Sequence, residues 1–312
     1  MLKYFDNSAT TRIDENVLSE MMPYLVQNYA NPSAIYSIGK KNKEAITLAR
    51  MRIAECINAN VNEIYFTSGG SESDNLAIKG IAFANSKFGN HIITSSFEHP
   101  AVLNTCKFLE KFGFRVTYIK PKQNGIIDPK DVERAITKRT ILISIMFVNN
   151  EIGTIQPIKE IGEIAKRYSI YFHTDSVQAI GNIKIDVKAL GISSLSMSAH
   201  KFYGPKGIGV LYMKSNVNFI RIQDGGHQEQ NMRAGTENVA GIIGTGKAMQ
   251  IATQNLEDHQ RYLTMLRNYC IRELKANFPN VIINGDLEKR IPRKCKCFIW
   301  RGRWSKYFRR TR

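Results

Sequence analysis

Apolar residues follow two spacings between about residues 90 and 175, and the two spacings alternate along the chain. Continuous apolar runs of strand length predict buried β-strands at 91–95, 114–119, 141–148 and 170–174. Helix-spaced apolar stripes between these runs predict α-helices at 100–109, at 129–139 and from 157 onward. Since strands that alternate with helices form sheets covered on both faces, we expect an α/β fold with a mostly parallel sheet.

The apolar pattern changes at about residue 250. A helical stretch over 254–277 and a strand-like run over 281–283 follow, which indicates the start of a second, smaller lobe. A chain of 312 residues is long enough for such a division. We therefore predict a large domain over 13–250 and an incomplete small C-terminal α/β lobe assembled from 1–12 and 251–292.

The net charge of +17 is unevenly distributed. Residues 293–312 hold nine lysines or arginines and no acid, so the rest of the chain carries +8. A basic extension that binds nucleic acid would have this composition, because such tails bind phosphate backbones. The segment also lacks an amphipathic period and holds both tryptophans, so we interpret it as a basic tail translated out of frame. We therefore do not expect nucleic acid to be the partner.

The sequence argues against a membrane protein and against a disulfide-rich secreted protein. No apolar run approaches the roughly 18 residues of a membrane span, and Asp6 precedes any signal-peptide core. We therefore expect a cytoplasmic protein with no membrane partner.

An odd number of scattered cysteines does not form a disulfide framework, and Cys106 lies on a helix-spaced apolar stripe that predicts a core position. The cysteines are Cys56, Cys106, Cys270, Cys295 and Cys297.

The residues that best indicate a chemistry are Lys201, just past an apolar strand, and Asp175, about one βαβ step upstream. A lysine amine forms a Schiff base with the aldehyde of pyridoxal phosphate. An aspartate at the pyridine nitrogen keeps the ring protonated, so that the ring acts as an electron sink. Ligands of parallel sheets bind at the carboxyl ends of the strands, where Asn150, Asp175 and Lys201 are expected. Asp175 could instead be a helix cap, and Gln178 a surface amide.

A glycine turn that opens a helix at 67–74 predicts a phosphate site. There Ser71 is the predicted N-cap and Asp74 completes a capping box, although an ordinary capped helix has the same pattern. Ser198 and His200 precede Lys201 by three places and one place, and both could hold a phosphate.

His99 lies at a strand-to-helix turn, between Glu98 and Pro100. A single histidine in such a turn is more often structural than catalytic. Its aromatic ring would nevertheless stack on a pyridine, and it could move protons near neutral pH. We predict pyridoxal 5'-phosphate as the cofactor and no metal site.

Taken together, these segments resemble the cysteine desulfurases of the NifS/IscS kind, within the class V aminotransferase superfamily. The resemblance covers nearly the whole chain, up to about residue 292. The segments that distinguish desulfurases from other class V branches are 225–229 and 233–238. The other matching segments are 4–11, 31–33, 67–75, 98–100, 148–153 and the loop around Lys201.

The resemblance implies a fold type I enzyme that depends on pyridoxal phosphate, and it implies a role for each site residue. Lys201 looks like the Schiff-base lysine, and His99 would stack on the ring and help to deprotonate the substrate. Asp175 would pair with the pyridine nitrogen, Gln178 with the phenolic oxygen, and Asn150 with the ring and the bound amino acid. The groups implied at the phosphate are Gly70, Ser71, Ser198, His200 and Thr236, the last from the partner subunit of a homodimer.

The implied reaction converts L-cysteine to L-alanine and leaves the sulfur as an enzyme persulfide, for an acceptor such as an iron–sulfur scaffold protein. In the family, the persulfide cysteine lies in a Ser/Gly-rich loop of the C-terminal lobe, and nothing in this sequence matches that loop. Cys295 and Cys297 lie in a different context, so neither is assigned the role. The chain therefore resembles a C-terminally truncated desulfurase, and a cofactor-binding remnant without desulfurase activity is the alternative.

Overall fold

A seven-stranded sheet forms the centre of the computed structural model, which describes residues 3–299. In chain order the strands are β1 (Ile64–Thr67), β2 (His91–Ser95), β3 (Arg115–Ile119), β4 (Thr140–Ser144), β5 (Tyr171–Asp175), β6 (Ser194–Ser198) and β7 (Gly209–Met213). Every residue of β2, β4 and β6 is buried. Such burial is expected of strands that are covered on both faces.

The strand order across the sheet is β1-β7-β6-β5-β4-β2-β3. Neighbours from β6 to β3 run parallel, and β7 runs antiparallel to both β1 and β6. The prediction of a mostly parallel α/β sheet is confirmed. The carboxyl ends of β4, β5 and β6 therefore meet at one edge, where the loops that follow them approach one another.

Two apolar clusters cover the two faces of this sheet. Adjacent residues of a strand face opposite sides, so Ile92 belongs to one cluster and Ile93 to the other. Cys106 is fully buried in the cluster that contains Ile92, as predicted. The helices that supply the covering layers are α1 (Glu15–Val26), α2 (Ser37–Cys56), α3 (Gly70–Ala84), α4 (Pro100–Glu110), α5 (Pro129–Arg134), α6 (Ile158–Arg167), α7 (Val239–Gln254) and α8 (Leu256–Asn277).

Two predicted elements are shorter than the apolar pattern indicated. The helix predicted over 129–139 ends at Arg134, because the Thr137 amide donates to the Thr140 hydroxyl at 2.8 Å and the chain turns into β4. The strand predicted over 141–148 ends at Ser144. Beyond it, the Ile145 and Phe147 amides still donate to the carbonyls of His173 and Asp175 in β5, whereas the Met146 amide donates to a buried carboxyl group.

The C-terminal part of the described chain packs beside the loop that follows β4. The predicted strand at 281–283 is β8 (Val281–Ile283), and it pairs antiparallel with β9 (Cys297–Ile299). Between them, Arg290 forms an isolated bridge with Thr154, and the Ile291 amide donates to the Gly153 carbonyl at 3.0 Å. Residues 289–294 are thereby held against the sheet edge that carries the loops. Of the predicted tail at 293–312, only 293–299 is among the described residues.

Within residues 3–299, no helix is both long enough and apolar enough to span a bilayer.

Candidate active site

A cavity of about 550 Å³ opens at the carboxyl ends of β4, β5 and β6. Nine of the ten site residues predicted from the sequence line it. They are Gly70, Ser71, His99, Asn150, Asp175, Gln178, Ser198, His200 and Lys201. The predicted motifs, which lie up to 131 positions apart between Gly70 and Lys201, are thus brought together by the sheet.

Lys201 lies in the short helical turn that follows β6. Its Nζ donates to the carbonyl oxygens of Ser8 and Ala9, both at 2.7 Å, so the N-terminal segment crosses the cavity. Burial lowers the pKa of the Lys201 amine, and the nearby charge of Arg293 lowers it further, whereas Asp175 and Asp6 oppose the shift. A larger fraction of this amine is therefore the neutral nucleophile than in an exposed lysine.

Asp175 is the last residue of β5 and is almost completely buried. Its Oδ1 accepts a hydrogen bond from the Val177 amide at 3.0 Å. Burial raises the pKa of Asp175, whereas His99 and Lys201 lower it. Within residues 3–299 the carboxyl group has no ion-pair partner, so a cation placed in the cavity would be stabilised here.

Asp74 does not complete a capping box, which corrects the prediction. α3 begins at Gly70 with Gly69 as its N-cap, and neither Ser71 nor Asp74 caps it. The Asp74 carboxyl is instead buried, with Oδ1 3.5 Å from Nε2 of His173. The helical period turns this side chain inward, onto the sheet that α3 covers.

The buried Asp74 forms an acidic pair with Asp175. Burial, followed by the charge of Asp175, raises the pKa of Asp74. Burial also lowers the pKa of His173 to about 3, so this imidazole is neutral at physiological pH. Donor atoms of Asp74, His99 and Asp175 lie within 4.8 Å of one another. Because a proton competes with a metal ion for a carboxyl group, the raised pKa of Asp74 weakens this group as a metal ligand.

His99 has both a structural contact and a second ring nitrogen available for chemistry. It is the N-cap of α4, and its Nδ1 accepts a hydrogen bond from the Ala101 amide at 3.1 Å. An acceptor at Nδ1 carries no proton, so a neutral ring has its proton on Nε2. The structural and the catalytic interpretation of His99 are therefore compatible.

Glu98 precedes His99 in the chain and contacts the backbone of Met146, and both of these neighbours line the cavity. The carboxyl group is buried, accepts from the Met146 amide at 3.0 Å and contacts the Ser95 hydroxyl. Burial raises the pKa of Glu98 to about 8. Glu98 belongs to a segment that matches the family pattern, but its sequence context predicted no role for it.

The cavity wall around the start of α3 contains a glycine, two serine hydroxyls and the imidazole of His200. Gly70 begins α3, and a Cβ there would lie 2.7 Å from Cγ2 of Val177, so only glycine fits this approach of helix and loop. His200 Nδ1 lies 3.0 Å from the Thr10 hydroxyl, and burial lowers the pKa of this imidazole. A helix N-terminus flanked by Ser198 and His200 suits an anion such as phosphate.

Gln178 and Asn150 line the cavity while contacting neighbouring groups. The Gln178 amide nitrogen donates to the Ser8 carbonyl at 3.0 Å, and its Oε1 accepts from Arg293 at 3.3 Å. The Asn150 amide donates to Glu151 at 3.2 Å. Both side chains are therefore held at the cavity wall.

Thr236 lies outside this cavity. It lines a separate cavity of about 130 Å³ together with Thr67, Ser68 and Arg233. A contact between Thr236 and a phosphate would therefore need a second subunit, as the resemblance implies.

The five cysteines, all of them among residues 3–299, are absent from the wall of the large cavity. Burial raises the pKa of Cys106 to about 12 and also raises the pKa of Cys295, which lies close to Cys270. A protonated thiol is a weak nucleophile. The geometry therefore gives no support to a persulfide role for Cys295.

The described groups fit a flat cofactor with an aldehyde, a basic ring nitrogen and a phosphate. The amine of Lys201 suits the aldehyde, the buried carboxyl of Asp175 suits the protonated ring nitrogen, and the N-terminus of α3 suits the phosphate.

Known proteins are similar to this chain in sequence. A family model described as "Aminotransferase class-V" matches residues 3–306, a range that includes the predicted break at residue 293. Cysteine desulfurase IscS of Clostridium botulinum is 54% identical over 291 residues, which cover 93% of this chain and 73% of that protein. Cysteine desulfurase IscS of Methanosarcina thermophila is 56% identical over 288 residues, which cover 92% of this chain and 71% of that protein.

Solved structures show the same likeness in three dimensions. A NifS-like protein superposes with a TM-score of 0.91 at 37% identity, over 94% of this chain and 80% of that chain. A structure described as SspA in complex with cysteine superposes with a TM-score of 0.78 at 47% identity, over 80% of this chain and 72% of that chain.

Proposed function

Because this chain belongs to the cysteine desulfurases of the class-V aminotransferase family, we propose that it removes sulfur from L-cysteine and releases L-alanine, with pyridoxal 5'-phosphate as its cofactor. The family resemblance predicted from the sequence is confirmed by these relatives. The observation that carries the proposal is one cavity lined by Lys201, Asp175 and His99. An amine of lowered pKa, a buried acid without an ion pair among the described residues and an imidazole meet there.

The surroundings of these residues support the roles proposed for them. The cofactor, when bound, supplies a ring that stabilises negative charge developing at the substrate Cα. Lys201 Nζ would hold the cofactor, and burial, which lowers the pKa of this amine, favours the neutral form that can take a proton from the substrate Cα and return it. Asp175 would hold a proton at the ring nitrogen. His99 would lie against the ring, with Nε2 able to move a second proton.

The remaining assignments rest on the resemblance and on the cavity wall. Gly70, Ser71, Ser198 and His200 would hold the phosphate, and Thr236 would reach it from the partner in a homodimer. Gln178 and Asn150 would contact the ring oxygen and the bound amino acid.

The proposed domain division and sulfur acceptor also rest on resemblance. We keep the large domain at 13–250 and assign 251–292, with 1–12, to a partial small domain. By the same resemblance, a thiolate of the enzyme would attack the substrate sulfur, and the Cβ–S bond would break with its electron pair left on Cβ, which takes up a proton to give alanine. The sulfur would stay on that thiolate as a persulfide for an acceptor such as an iron–sulfur scaffold protein. No cysteine among residues 3–299 is assigned this role.

The test is to measure alanine and sulfide released from L-cysteine by the purified chain supplied with pyridoxal phosphate and a thiol reductant. We expect both products in the wild type and neither with Lys201→Ala. Lys206→Ala, which removes the same charge from an exposed position five residues away, is the matched control and retains both. Cofactor uptake without alanine in the wild type would contradict desulfurase activity and support the cofactor-binding alternative.

A further inference from the structure

An ion pair joins the start of α3 to the loop that contains Thr236. Arg233 Nε donates to Oε1 of Glu72 at 2.8 Å, and Arg233 Nη2 lies 3.4 Å from Oε2. The two side chains are only 22% and 20% exposed, so water screens this pair less than it screens a surface pair. Glu72 lies in the first turn of α3, beside Ser71, which lines the large cavity. The pair is therefore next to the helix terminus that suits the phosphate.

Glu72 fixes the turn that leads from β1 into α3. Its Oε2 accepts a hydrogen bond from the Ser68 amide at 2.9 Å and contacts the Ser68 hydroxyl. Burial raises the pKa of Glu72, but hydrogen bonds from Arg233 and Ser68 outweigh burial and hold the pKa below its ordinary value. Glu72 is therefore an anion at neutral pH, and it brings a negative charge to the proposed phosphate site.

A negative charge in the first turn of α3 opposes the binding of a phosphate there. The free amide groups and the dipole of a helix N-terminus attract anions. A carboxylate on the same turn repels a phosphate and weakens this attraction. Because Arg233 neutralises Glu72, the pair as a whole adds no net charge, and the helix terminus keeps its attraction for the anion.

Arg233 is the counter-charge that the surroundings provide for Glu72. Within residues 3–299, Glu72 forms no other ion pair. The nearby acid Glu229 is paired with Arg50, with both N–O distances at 2.7 Å. Glu237 lines the cavity of about 130 Å³ beside Arg233, but in the described part of the chain no ion pair joins the two. Loss of Arg233 would therefore leave Glu72 charged, partly buried and uncompensated.

We propose that Arg233 is a positioning residue of the phosphate site, which neutralises Glu72 and so preserves the affinity of the α3 N-terminus for the phosphate of the cofactor. The proposal rests on the proposed function, because that function places the phosphate at the start of α3. Arg233 acts through Glu72 and needs no contact with the phosphate. Glu72 can thereby fix the turn at Ser68 without weakening the site beside it.

The test compares pyridoxal 5'-phosphate with pyridoxal, which has the same ring and aldehyde but a hydroxyl in place of the phosphate. Dissociation constants are measured by absorbance on titration of the cofactor-free chain, at about pH 8, where an unpaired carboxyl stays ionised. We expect Arg233→Met to raise the constant for pyridoxal 5'-phosphate by about tenfold or more, through repulsion by Glu72, and to leave that for pyridoxal unchanged. Adding Glu72→Gln should return the constant to near the wild-type value, because the repelling charge is then removed.

The matched control is Arg221→Met, which removes the same charge from an exposed pair with Asp224 in the same connection between β7 and α7. It should change neither constant. An unchanged affinity for pyridoxal 5'-phosphate in Arg233→Met would overturn the inference alone.

The double variant separates a charge effect from a structural one. If Glu72→Gln does not restore affinity, Arg233 does not act through Glu72 and the inference is wrong. Equal loss for the two ligands in Arg233→Met would also overturn it, because it would indicate a disturbed fold. A wild-type chain that takes up no pyridoxal 5'-phosphate would overturn the proposed function, and the inference with it.

Discussion

At the scale of single residues, the carboxyl of Asp175 illustrates how burial creates a binding preference. It is nearly inaccessible to solvent, accepts one hydrogen bond from the Val177 amide, and has no ion pair among the described residues. A protonated ring nitrogen would supply the missing positive charge. The acid is therefore better stabilised with the cofactor present than without it.

Asp175→Asn should separate cofactor binding from catalysis. The amide has nearly the same shape, so the chain should still bind the cofactor through Lys201. It cannot hold the ring nitrogen protonated, and we expect alanine release to fall by about 100-fold or more. Alanine formation at saturating cysteine, measured beside cofactor content, checks this prediction. Full activity in the variant would contradict the role given to Asp175.

Most of the cavity wall could be predicted from sequence, because its residues directly follow strands that apolar runs reveal. Asp175 ends β5, and Lys201 lies three residues beyond β6. Asp74 could not be placed correctly, since a helix-start pattern and an inward-facing acid have the same sequence signature. Lys294, which lines the cavity, was missed because its position depends on packing against Gly153, 141 residues earlier in the chain, and no local pattern reports such packing.

At the scale of elements, the junction of α3 with the loop after β5 sets the shape of the proposed phosphate site. Gly69 and Gly70 are adjacent but differ in their surroundings. A Cβ on Gly70 would lie 2.7 Å from Val177, whereas a Cβ on Gly69 would have no atom within 4 Å. Gly69 has a φ of 162°, which any residue adopts as extended backbone.

Gly70→Ala and Gly69→Ala therefore form a matched pair. We expect Gly70→Ala to lower the free energy of unfolding by about 1–3 kcal/mol through overpacking, and to weaken cofactor binding because the start of α3 must shift. Gly69→Ala should change both quantities little. Urea unfolding and cofactor titration measure the two effects. Equal effects of the two substitutions would argue against a close junction at Gly70.

The prediction of elements succeeded where continuous apolar runs or proline-started helices marked them, as for β2 and α4. It did not include α7, whose buried face holds glycines. A Cβ on Gly244 would lie 2.5 Å from Sδ of Met21, and one on Gly246 would lie 2.9 Å from Cβ of Ala49. Close helix packing requires small residues here, and small residues give no apolar stripe to detect.

At the scale of the whole molecule, buried acids make stability depend on pH. Burial raises the pKa of Glu98 from its ordinary value of 4.5 to about 8. Between these values the folded chain keeps a proton that the unfolded chain has lost. The free energy of unfolding therefore falls as pH rises from about 4.5 to about 8, by at most about 1.4 kcal/mol per pH unit from this group.

Glu98→Gln should flatten this dependence, because the amide does not titrate. The comparison is urea unfolding of the wild type and the variant without cofactor at about pH 5.5 and about pH 7.5, both of which lie inside that window. We expect the difference in unfolding free energy between the two pH values to be smaller in the variant. An identical difference in both chains would show that Glu98 does not keep its proton on folding.

The central claim for the whole molecule is that the cavity binds pyridoxal phosphate through Lys201. The most direct measurement is reduction of the cofactor-loaded chain with borohydride, followed by peptide mapping by mass spectrometry. We expect the mass of the reduced cofactor on the peptide that contains Lys201, and its loss in Lys201→Ala. A cofactor adduct on other lysines only, or the same adduct yield in Lys201→Ala, would contradict the claim.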